Sequence, residues 1–396
     1  MRKHLKACAG AAFVLSLALA APAGDNFLLH YDTPDATHAW GVHDRNRPNP
    51  AKVSAEPGVP PSDAIVLFDG TEASFKANWR HAREKRRADW LFRDGAMECA
   101  RGAGYIQTRQ SFGDCQLHLE WAAPTKVVGI GQQRGNSGVF LMGNYEVQVL
   151  DSYETDPSKK PNPNPNYADG QAGAVYAENP PLVNPARAPG KWQTYDIVFH
   201  QPVWEGGKLV WPGSITVFFN GVLVQDHWEM EGLSTHSRRR PLAPHAKKLP
   251  LSLQDHGNPV RFRNIWIREI PSRYANVTHG GPAADPAAVK ALRRRTAESL
   301  AAGIDWSGSA EADVNRALEV LSYCGEPPYG DKVRGVCEAY RRRVESAADL
   351  SQFCDGLKRV NTTVDTLVRN KVLARNDPFA AWVKSALAAA EKKRKR

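Results

Sequence analysis

The chain has 396 residues, a formal net charge of +10 and 42% hydrophobic residues, among them 11 tryptophans. This length favours two domains over one, and the apolar content is ample for packed cores, which excludes a globally disordered chain. The positive charge is divided among a leader, the tail Lys392–Arg396 and short runs such as Arg238–Arg240. No recognition element accompanies these runs, so we expect solvated surface charge and no nucleic-acid binding.

The first 23 residues have the pattern of a secretory signal peptide. Arg2, Lys3 and Lys6 form a positive segment, Ala9–Ala20 is a short apolar run, and small residues at 21–23 provide a cleavage site. The apolar run is too short to span a bilayer by itself, and no later segment is longer. We predict cleavage after Ala23 and a periplasmic or secreted protein with no transmembrane segment. An uncleaved N-terminal anchor is the alternative.

Residues 24–61 are rich in Pro, Asp, Asn and His and predict an extended arm. Within it, His43 and Asp44 could close over a site or simply cap a turn. From residue 62 to 272, short β-branched and aromatic runs alternate with turn residues, which is typical of an antiparallel sandwich or barrel. The predicted strands are Ala64–Phe68, Trp90–Cys99, Tyr105–Thr108, Cys115–Trp121, Ser137–Met142, Tyr145–Leu150, Trp192–His200, Ser214–Phe219, Val222–Gln225 and Val260–Ile270.

Two Xaa-Gly pairs, Asp94-Gly95 and Asn220-Gly221, predict two-residue hairpin turns. The long polar connection Asp156–Asn184 follows directly after the strand that begins at Tyr145, and loops of this length are usually functional or disordered.

From residue 285 to 396 the pattern becomes helical. Asp285 as N-cap with Pro286 at the first helical position predicts a helix to about Ala302. Further helices are predicted at Ala310–Tyr323, Asp331–Ser346, Asp349–Leu373 and Pro378–Lys393. No motif in this all-α module carries recognisable chemistry, so a structural role or the docking of a protein partner is expected for it.

Five cysteines remain after cleavage of the leader, at positions 99, 115, 324, 337 and 354. In an oxidising compartment they could form two disulfides and leave one thiol. Buried free cysteines are the alternative.

The strand that begins at Tyr145 is the first candidate for a functional site. Because side chains alternate along a strand, Tyr145, Val147 and Val149 are expected in the core, with Glu146 and Gln148 on the opposite face. Asn144 shares that polar face, and Asp151 and Tyr153 follow at its end. This face is either an ordinary solvent-exposed surface or a platform for sugar hydroxyls and acid/base chemistry.

A second candidate group lies on the strand that begins at Cys115, where Gln116, His118 and Glu120 share one face. If this strand neighbours the first, Glu120 could approach Glu146, and two carboxylates roughly 5 to 9 Å apart are used by conventional glycosidases. The turn after Leu253 adds His256 with Asp255 and Arg263 nearby, although a histidine in a loop is often merely exposed.

Five ordered motifs between residues 62 and 272 resemble the 3-keto-disaccharide hydrolase family, also described as 3-keto-glucoside 1,2-lyase/3-keto-2-hydroxyglucal hydratase. The motifs begin at Val66, Gly135, Tyr145, Pro189 and Leu253 and read VLFDGT, GNSGVFL, YEVQVLDSY, PGKWQTYD and LQDHG followed by VRFRNI. The resemblance implies a concanavalin A/laminin-G-like jelly-roll β-sandwich, with the helical C-terminal extension outside the family pattern.

The resemblance also implies a mechanism. A ketone at C3 acidifies the C2 hydrogen, a base removes that proton, the aglycone leaves from C1, and water can add to the product to give net hydrolysis. Such chemistry needs a base, an acid and donors for the enolate. On this basis we expect Glu146 and His256 as the acid/base pair, with Asp255 orienting the imidazole. Substrate binding is expected from the remaining polar candidates, which are Gln148, Asn136, Arg263, Asp151, Glu120 and Tyr153.

Two other functions are compatible with these features. One is a lectin-like carbohydrate-binding protein without turnover whose helical tail docks a partner, and the other is a structural cell-surface protein. No cofactor is expected, because no spacing matches a defined ligand set, although a structural calcium ion is compatible with a jelly roll.

Overall fold

The computed structural model describes residues 33–84, 86–236, 238–272 and 285–395. These residues divide into two compact units, one of residues 52–272 and one that combines residues 33–51 with 285–395. The signal peptide predicted at residues 1–23 lies outside the described residues. The described part of the predicted arm is divided between the units after Ala51.

The β unit contains the strands β1 (Ile65–Phe68), β2 (Trp79–His81), β3 (Leu91–Arg93), β4 (Ala96–Glu98), β5 (Ile106–Phe112), β6 (Cys115–Ala122), β7 (Ser137–Leu141), β8 (Tyr145–Val149), β9 (Gln193–His200), β10 (Val203–Glu205), β11 (Lys208–Trp211), β12 (Ser214–Phe219), β13 (Val222–Glu229), β14 (Gly232–Leu233), β15 (Arg240–Pro241), β16 (Leu249–Leu253) and β17 (Arg261–Glu269). A short helix, α1 (Glu72–Asn78), follows β1, and Thr71 caps it by accepting a hydrogen bond from the Ser74 amide.

Most of these strands belong to two antiparallel sheets. The larger sheet has eight strands in the order β13-β12-β9-β6-β17-β4-β3, with β1 also paired to β17, and the smaller has the order β2-β5-β16-β7-β8. Side chains of both sheets, such as Leu119 and Tyr195 from one and Val139 and Val147 from the other, form a single core. The predicted fold class, a concanavalin A/laminin-G-like jelly-roll sandwich with a C-terminal all-α extension, is confirmed.

Both predicted hairpin turns are present. Asp94 and Gly95 have φ angles of 48° and 69° between β3 and β4, and Asn220 and Gly221 have 51° and 79° between β12 and β13. Positive φ at both central residues is the type I′ geometry, which matches the twist of the flanking strands.

One central strand of the smaller sheet, β16, was not among the predicted strands. Pro250 lies within it and lacks the amide that a ladder requires, which argues against a strand on sequence grounds. The register between β16 and β5 shifts between Pro250 and Ser252, and this irregularity accommodates the missing donor.

The second unit contains the helices α2 (Pro286–Ala301), α3 (Glu311–Tyr323), α4 (Tyr329–Glu345), α5 (Cys354–Arg369) and α6 (Pro378–Arg394). The Asp285 carboxylate accepts a hydrogen bond from the Ala287 amide, so the predicted cap is present. The predicted helix 349–373 is instead a 3-10 turn followed by the shorter α5. None of the helices described here is long and apolar enough to cross a membrane.

Asp44 in the predicted arm caps a turn within this second unit. Its carboxylate accepts hydrogen bonds from the Gly41 and Asn46 amides and, at 2.5 Å, from the Tyr323 hydroxyl. The Asn46 side chain donates to Glu319 at 2.6 Å and to the Tyr323 hydroxyl at 3.0 Å. Burial raises the pKa of Glu319 to about 7.

Of the two alternatives for the cysteines, the structure has buried free thiols at all five described positions and not the two disulfides. Cys115 and Cys99 lie at opposite ends of β17. Cys115 pairs with Glu269 at one end, and the Cys99 amide donates a hydrogen bond to the Val260 carbonyl just beyond the other end. Nine residues of strand correspond to roughly 30 Å, far beyond the ~7 Å Cα separation that a disulfide can bridge.

Candidate active site on the five-stranded sheet

One row of side chains crosses the five-stranded sheet on the face turned away from the core. Following the strand pairing, Arg80 lies opposite Gln107, Gln107 opposite Ser252, Ser252 opposite Phe140, and Phe140 opposite Glu146. The residues that alternate with them along the strands belong to the core, so these five share the outer face. We call this surface, together with the side chains that border it, the site face.

Glu146 is the ionisable group at the centre of this arrangement. It is only 4% exposed, and no hydrogen bond or ion pair with a described residue engages its carboxylate. Burial raises the pKa of this carboxyl to about 8. Gly138 on β7 leaves the space that the carboxylate occupies, since a Cβ at that position would lie 2.1 Å from Glu146 Oε1. A group with a pKa in this range is suited to general acid/base catalysis near neutral pH.

Tyr176 extends the row beyond β8. Its backbone amide donates to the Glu146 carbonyl at 3.1 Å. Its hydroxyl lies 2.8 Å from that of Tyr167 and 3.0 Å from His236 Nδ1. Burial, the Tyr167 hydroxyl and the charge of Glu146 all raise the pKa of Tyr176. The Tyr176 hydroxyl is therefore hydrogen-bonded to two further side chains, Tyr167 and His236, while its backbone is paired with that of Glu146.

Tyr105 borders the site face on the other side of Glu146. Its ring centroid lies 5.7 Å from that of Phe140, and its hydroxyl accepts a hydrogen bond from Gln254 Nε2 at 2.7 Å. Because the oxygen is the acceptor in that bond, the phenolic proton remains available to a ligand.

Three amide side chains lie beside Glu146. Gln148 Nε2 donates to Gln132 Oε1 at 3.0 Å, and Asn136 Nδ2 donates to the Gln132 carbonyl at 2.7 Å. The remaining oxygens, Gln148 Oε1 and Asn136 Oδ1, are buried without a partner among the described residues. Buried acceptors are normally satisfied, so two of them on side chains that both donate to Gln132 suit the hydroxyl donors of a bound sugar.

Glu120 and Arg263 are not part of the site face, contrary to the expectation from sequence. They lie opposite each other on β6 and β17 of the eight-stranded sheet, on its outer side. Arg263 Nε donates to Glu120 Oε2 at 2.6 Å, and its guanidinium stacks 4.1 Å from the centre of the Trp192 ring. The sandwich core separates them from Glu146, so the postulated pair of carboxylates does not form.

Asp151 and Tyr153 lie just beyond β8. No hydrogen bond or ion pair among the described residues links either of them to the site face. Asp151 forms a buried ion pair with Arg134 at 2.6 Å, and Glu154 contributes a further contact to Arg134 at 3.4 Å. Tyr153 is partly exposed, and its carbonyl accepts a hydrogen bond from Asn164 Nδ2. Both residues therefore maintain the loop that follows the strand.

Asp255 does not orient the imidazole of His256. Its carboxylate accepts hydrogen bonds from the Gly104 amide at 2.9 Å, the Gly257 amide at 2.8 Å and the Cys99 thiol at 3.2 Å. These donors fix the turn after β16. The His256 side chain is exposed and has no described hydrogen bond to Glu146.

Sequence reasoning did not identify Tyr105, Tyr176, Gln132 and His236 as site residues. Tyr176 lies in the polar connection 156–184, whose length did favour a functional role. The others come from separate loops, and only the pairing of strands brings them to one face. Across the described chain, no group of three or more His, Cys, Asp or Glu residues is arranged to hold a metal ion.

Comparison with known proteins extends this description. A protein from Parabacteroides distasonis ATCC 8503, named as a glycosyl hydrolase and solved at 2.13 Å, is 39% identical, with a TM-score of 0.51. The match covers 56% of this chain and 93% of that one. A second such protein from the same organism, solved at 1.70 Å, is 18% identical with a TM-score of 0.39, over 53% of this chain and 94% of that one. The carbohydrate-binding module CBM66 of Bacillus subtilis is 12% identical with a TM-score of 0.27, over 49% of this chain and 97% of that module. No curated protein matches the chain.

Residues 63–268, just over half of the chain, match the family described as a 3-keto-alpha-glucoside-1,2-lyase-like domain. That range contains both sheets, apart from the last residue of β17, and the five residues of the row from Arg80 to Glu146. The chain therefore belongs to the 3-keto-alpha-glucoside-1,2-lyase-like family and is a carbohydrate-active protein.

Proposed function

We propose that the site face binds a 3-keto-glycoside and that Glu146 removes the C2 proton of its sugar ring. The observation that carries this proposal is the buried Glu146 carboxyl, which no described partner engages and whose pKa burial raises to about 8. The ketone at C3 acidifies the neighbouring C2 hydrogen, so a single base of this strength is sufficient to begin the reaction.

The bond changes follow from that proton transfer. Glu146 takes the C2 proton, and the electron pair of the C–H bond forms an enediolate with the C3 oxygen. Collapse of the enediolate restores the ketone, forms the C1–C2 double bond and expels the oxygen at C1, which receives a proton from the site. Addition of water across the new double bond then gives net hydrolysis.

The neighbouring side chains support these steps. Gln148 Oε1 and Asn136 Oδ1 accept hydrogen bonds from the sugar hydroxyls and so position C2 over Glu146. The Tyr105 hydroxyl, already accepting from Gln254, donates its proton to the enediolate or to the leaving oxygen. Tyr176, linked to Tyr167 and His236, is the second candidate donor.

This arrangement favours elimination over conventional two-carboxylate hydrolysis. The other carboxylates that the sequence suggested for the site are engaged elsewhere: Glu120 by Arg263, Asp151 by Arg134, and Asp255 by backbone amides and a thiol. Conventional glycosidases place a second carboxyl group roughly 5 to 10 Å from the first. Proton abstraction next to a ketone needs only one.

The test uses the purified chain with p-nitrophenyl 3-keto-glucoside in heavy water. We expect release of nitrophenol together with deuterium at C2 of recovered substrate or product, and a rate that rises as the pH passes about 8 because the base must be ionised. Glu146→Gln should lower kcat by about 100-fold or more, the usual contribution of general base catalysis.

Glu205→Gln, a substitution of an exposed glutamate on β10, is the matched control and should retain full activity. Retained affinity for the glycoside without release of nitrophenol would favour the lectin-like alternative. Full activity of the Glu146 variant would refute the assignment of the base.

We also propose that the protein is exported after removal of residues 1–23, on the strength of their charge and hydropathy pattern. Amino-terminal sequencing of the protein from the periplasmic or culture fraction should begin at Gly24. Recovery of the protein in the cytoplasm with Met1 or Arg2 at its terminus would contradict the proposal.

A further inference from the structure

The two arginine-rich segments of the β unit lie at opposite ends of the site face. Arg80 occupies the first position of the row that ends at Glu146. With the Gln107 amide turned so that its oxygen faces Arg80, the guanidinium donates to it at 2.9 Å. Its partner on the face is therefore a neutral amide.

Arg83 lies just after β2, and its exposed side chain adds to the positive charge at this end. Burial raises the pKa of Tyr105, and the positive charge of Arg83 opposes that rise.

The second segment is the loop that carries Arg238, Arg239 and Arg240. Two contacts attach this loop to the site: the Glu146 amide donates to Ser234 Oγ at 2.8 Å, and His236 Nδ1 lies 3.0 Å from the Tyr176 hydroxyl. The three arginines also line a small cleft together with Tyr176.

Two glutamates, Glu178 and Glu231, line the same cleft, and the Glu178 carboxylate accepts hydrogen bonds from the Trp228 side chain and from two backbone amides. Arg239 pairs with Glu231 at 3.2 Å, but 76% of its side chain is exposed, and pairs of this kind contribute little and exchange readily. Among the described residues, Arg238 and Arg240 have no acidic group within ion-pair distance. Burial disfavours the charged form of the Glu146 carboxyl and raises its pKa to about 8, which limits the negative charge that this group contributes.

We propose that the natural substrate is an anionic oligosaccharide whose carboxylate or sulfate groups are bound by the arginines at the two ends of the site face. The inference rests on the proposed carbohydrate site and adds the charge and length of its ligand. Arginine binds planar oxyanions through two parallel hydrogen bonds, and a positive surface around a site accelerates capture of anions. The row from Arg80 to Glu146 crosses four strand spacings, roughly 19 Å at about 4.8 Å each, which is longer than one pyranose ring.

The experiment measures binding of the full chain to three immobilised polysaccharides: polygalacturonate, a sulfated galactan and a neutral β-glucan. We expect retention by an anionic polymer and release as the salt concentration rises, because exposed charge contacts are screened. Retention by polygalacturonate alone assigns carboxylate recognition, and retention by the galactan alone assigns sulfate. Equal retention by the neutral polymer would overturn the proposal.

A matched pair of triple variants locates the binding surface. R238Q/R239Q/R240Q removes three charges beside the site, and R341Q/R342Q/R343Q removes three consecutive arginines from α4. The first should weaken anion binding about tenfold, as expected for several exposed charge contacts, and the second should leave it unchanged. Equal losses in both variants would mean that binding follows net charge alone and would refute the inference.

Arg80→Gln is the second variant, at the other end of the face, and it should also weaken anion binding. It provides the test if the loop variant proves unstable in a melting experiment. Turnover separates this inference from the proposed function. Release of nitrophenol without any anion binding would refute the inference alone, and anion binding without turnover would refute the enzyme assignment alone.

Discussion

Replacement of Glu146 by glutamine should stabilise the β unit, and the gain should grow with pH. The pKa of the Glu146 carboxyl is 4.5 in the unfolded chain and about 8 in the folded chain. The free energy of unfolding therefore falls as the pH rises from 4.5 to about 8, because the folded state holds its proton more tightly than the unfolded state. Each pKa unit corresponds to about 1.4 kcal/mol, so the ionisable group costs about 3 kcal/mol at pH 7 and about 5 kcal/mol at pH 9 relative to pH 4. Glutamine has nearly the same shape and no charge, and it removes this cost.

The assay is denaturant unfolding of the parent and of Glu146→Gln between pH 4 and 9, with the result expressed as the difference in unfolding free energy. Because the helical unit is common to both proteins, its own pH dependence cancels in that difference. Glu205→Gln serves as the exposed control and should show no trend. A difference that stays within about 0.5 kcal/mol across the range, as is typical of a surface substitution, would refute the description of Glu146 as a buried carboxyl without a partner.

Three further predictions concern other residues of the chain. Gly138→Ala should leave the fold intact but lower kcat/KM by about 100-fold, since its Cβ would displace the Glu146 carboxylate and such misplacements cost that much; unchanged activity would contradict the close approach. Arg134→Met should lower the unfolding free energy by about 3 to 5 kcal/mol by leaving Asp151 buried without its cation, and addition of Asp151→Asn should restore much of the loss; an additive further loss would argue against the ion pair. Glu319→Gln should remove a decline in stability of the helical unit between about pH 4.5 and 7, because burial raises the pKa of Glu319 to about 7; an unchanged decline in calorimetry would exclude Glu319 as its source.

An increase in stability on replacing Glu146 would also support its assignment as a catalytic residue. A carboxyl retained in an environment that destabilises its charged form is unfavourable for folding, and catalytic groups commonly impose such a cost. Loss of activity accompanied by a pH-dependent gain in stability would therefore support a catalytic role better than loss of activity alone.

Local patterns were sufficient to predict much of the fold. Alternation placed Tyr145 and Val147 in the core and Glu146 on the opposite face, and the Asn220-Gly221 pair predicted its hairpin correctly. These signals depend on interactions between residues close in sequence, such as the φ preference of a turn, the capping of a helix or the period of a strand. Strand alternation also led to Glu146 and Gln148, and the ordered motifs added Asn136.

Contacts between residues that are far apart in the sequence could not be predicted from local patterns. Glu120 and Glu146 both alternate outward on their strands, and nothing in either strand specifies which sheet it joins. The possible pairings of cysteines were equally undetermined until the strand register separated Cys99 from Cys115.

The sequence by itself determined a mainly β chain with a helical C-terminal extension, a polar strand around Glu146 and membership of a carbohydrate-active family, because these follow from periodicity and from ordered motifs. Only the tertiary structure decided that Glu120, Asp151 and Asp255 have partners other than Glu146, and that Arg80 lies in the same row as Glu146. The physical reason is that burial and proximity set the pKa and the partners of a side chain, and both depend on residues far away in the chain.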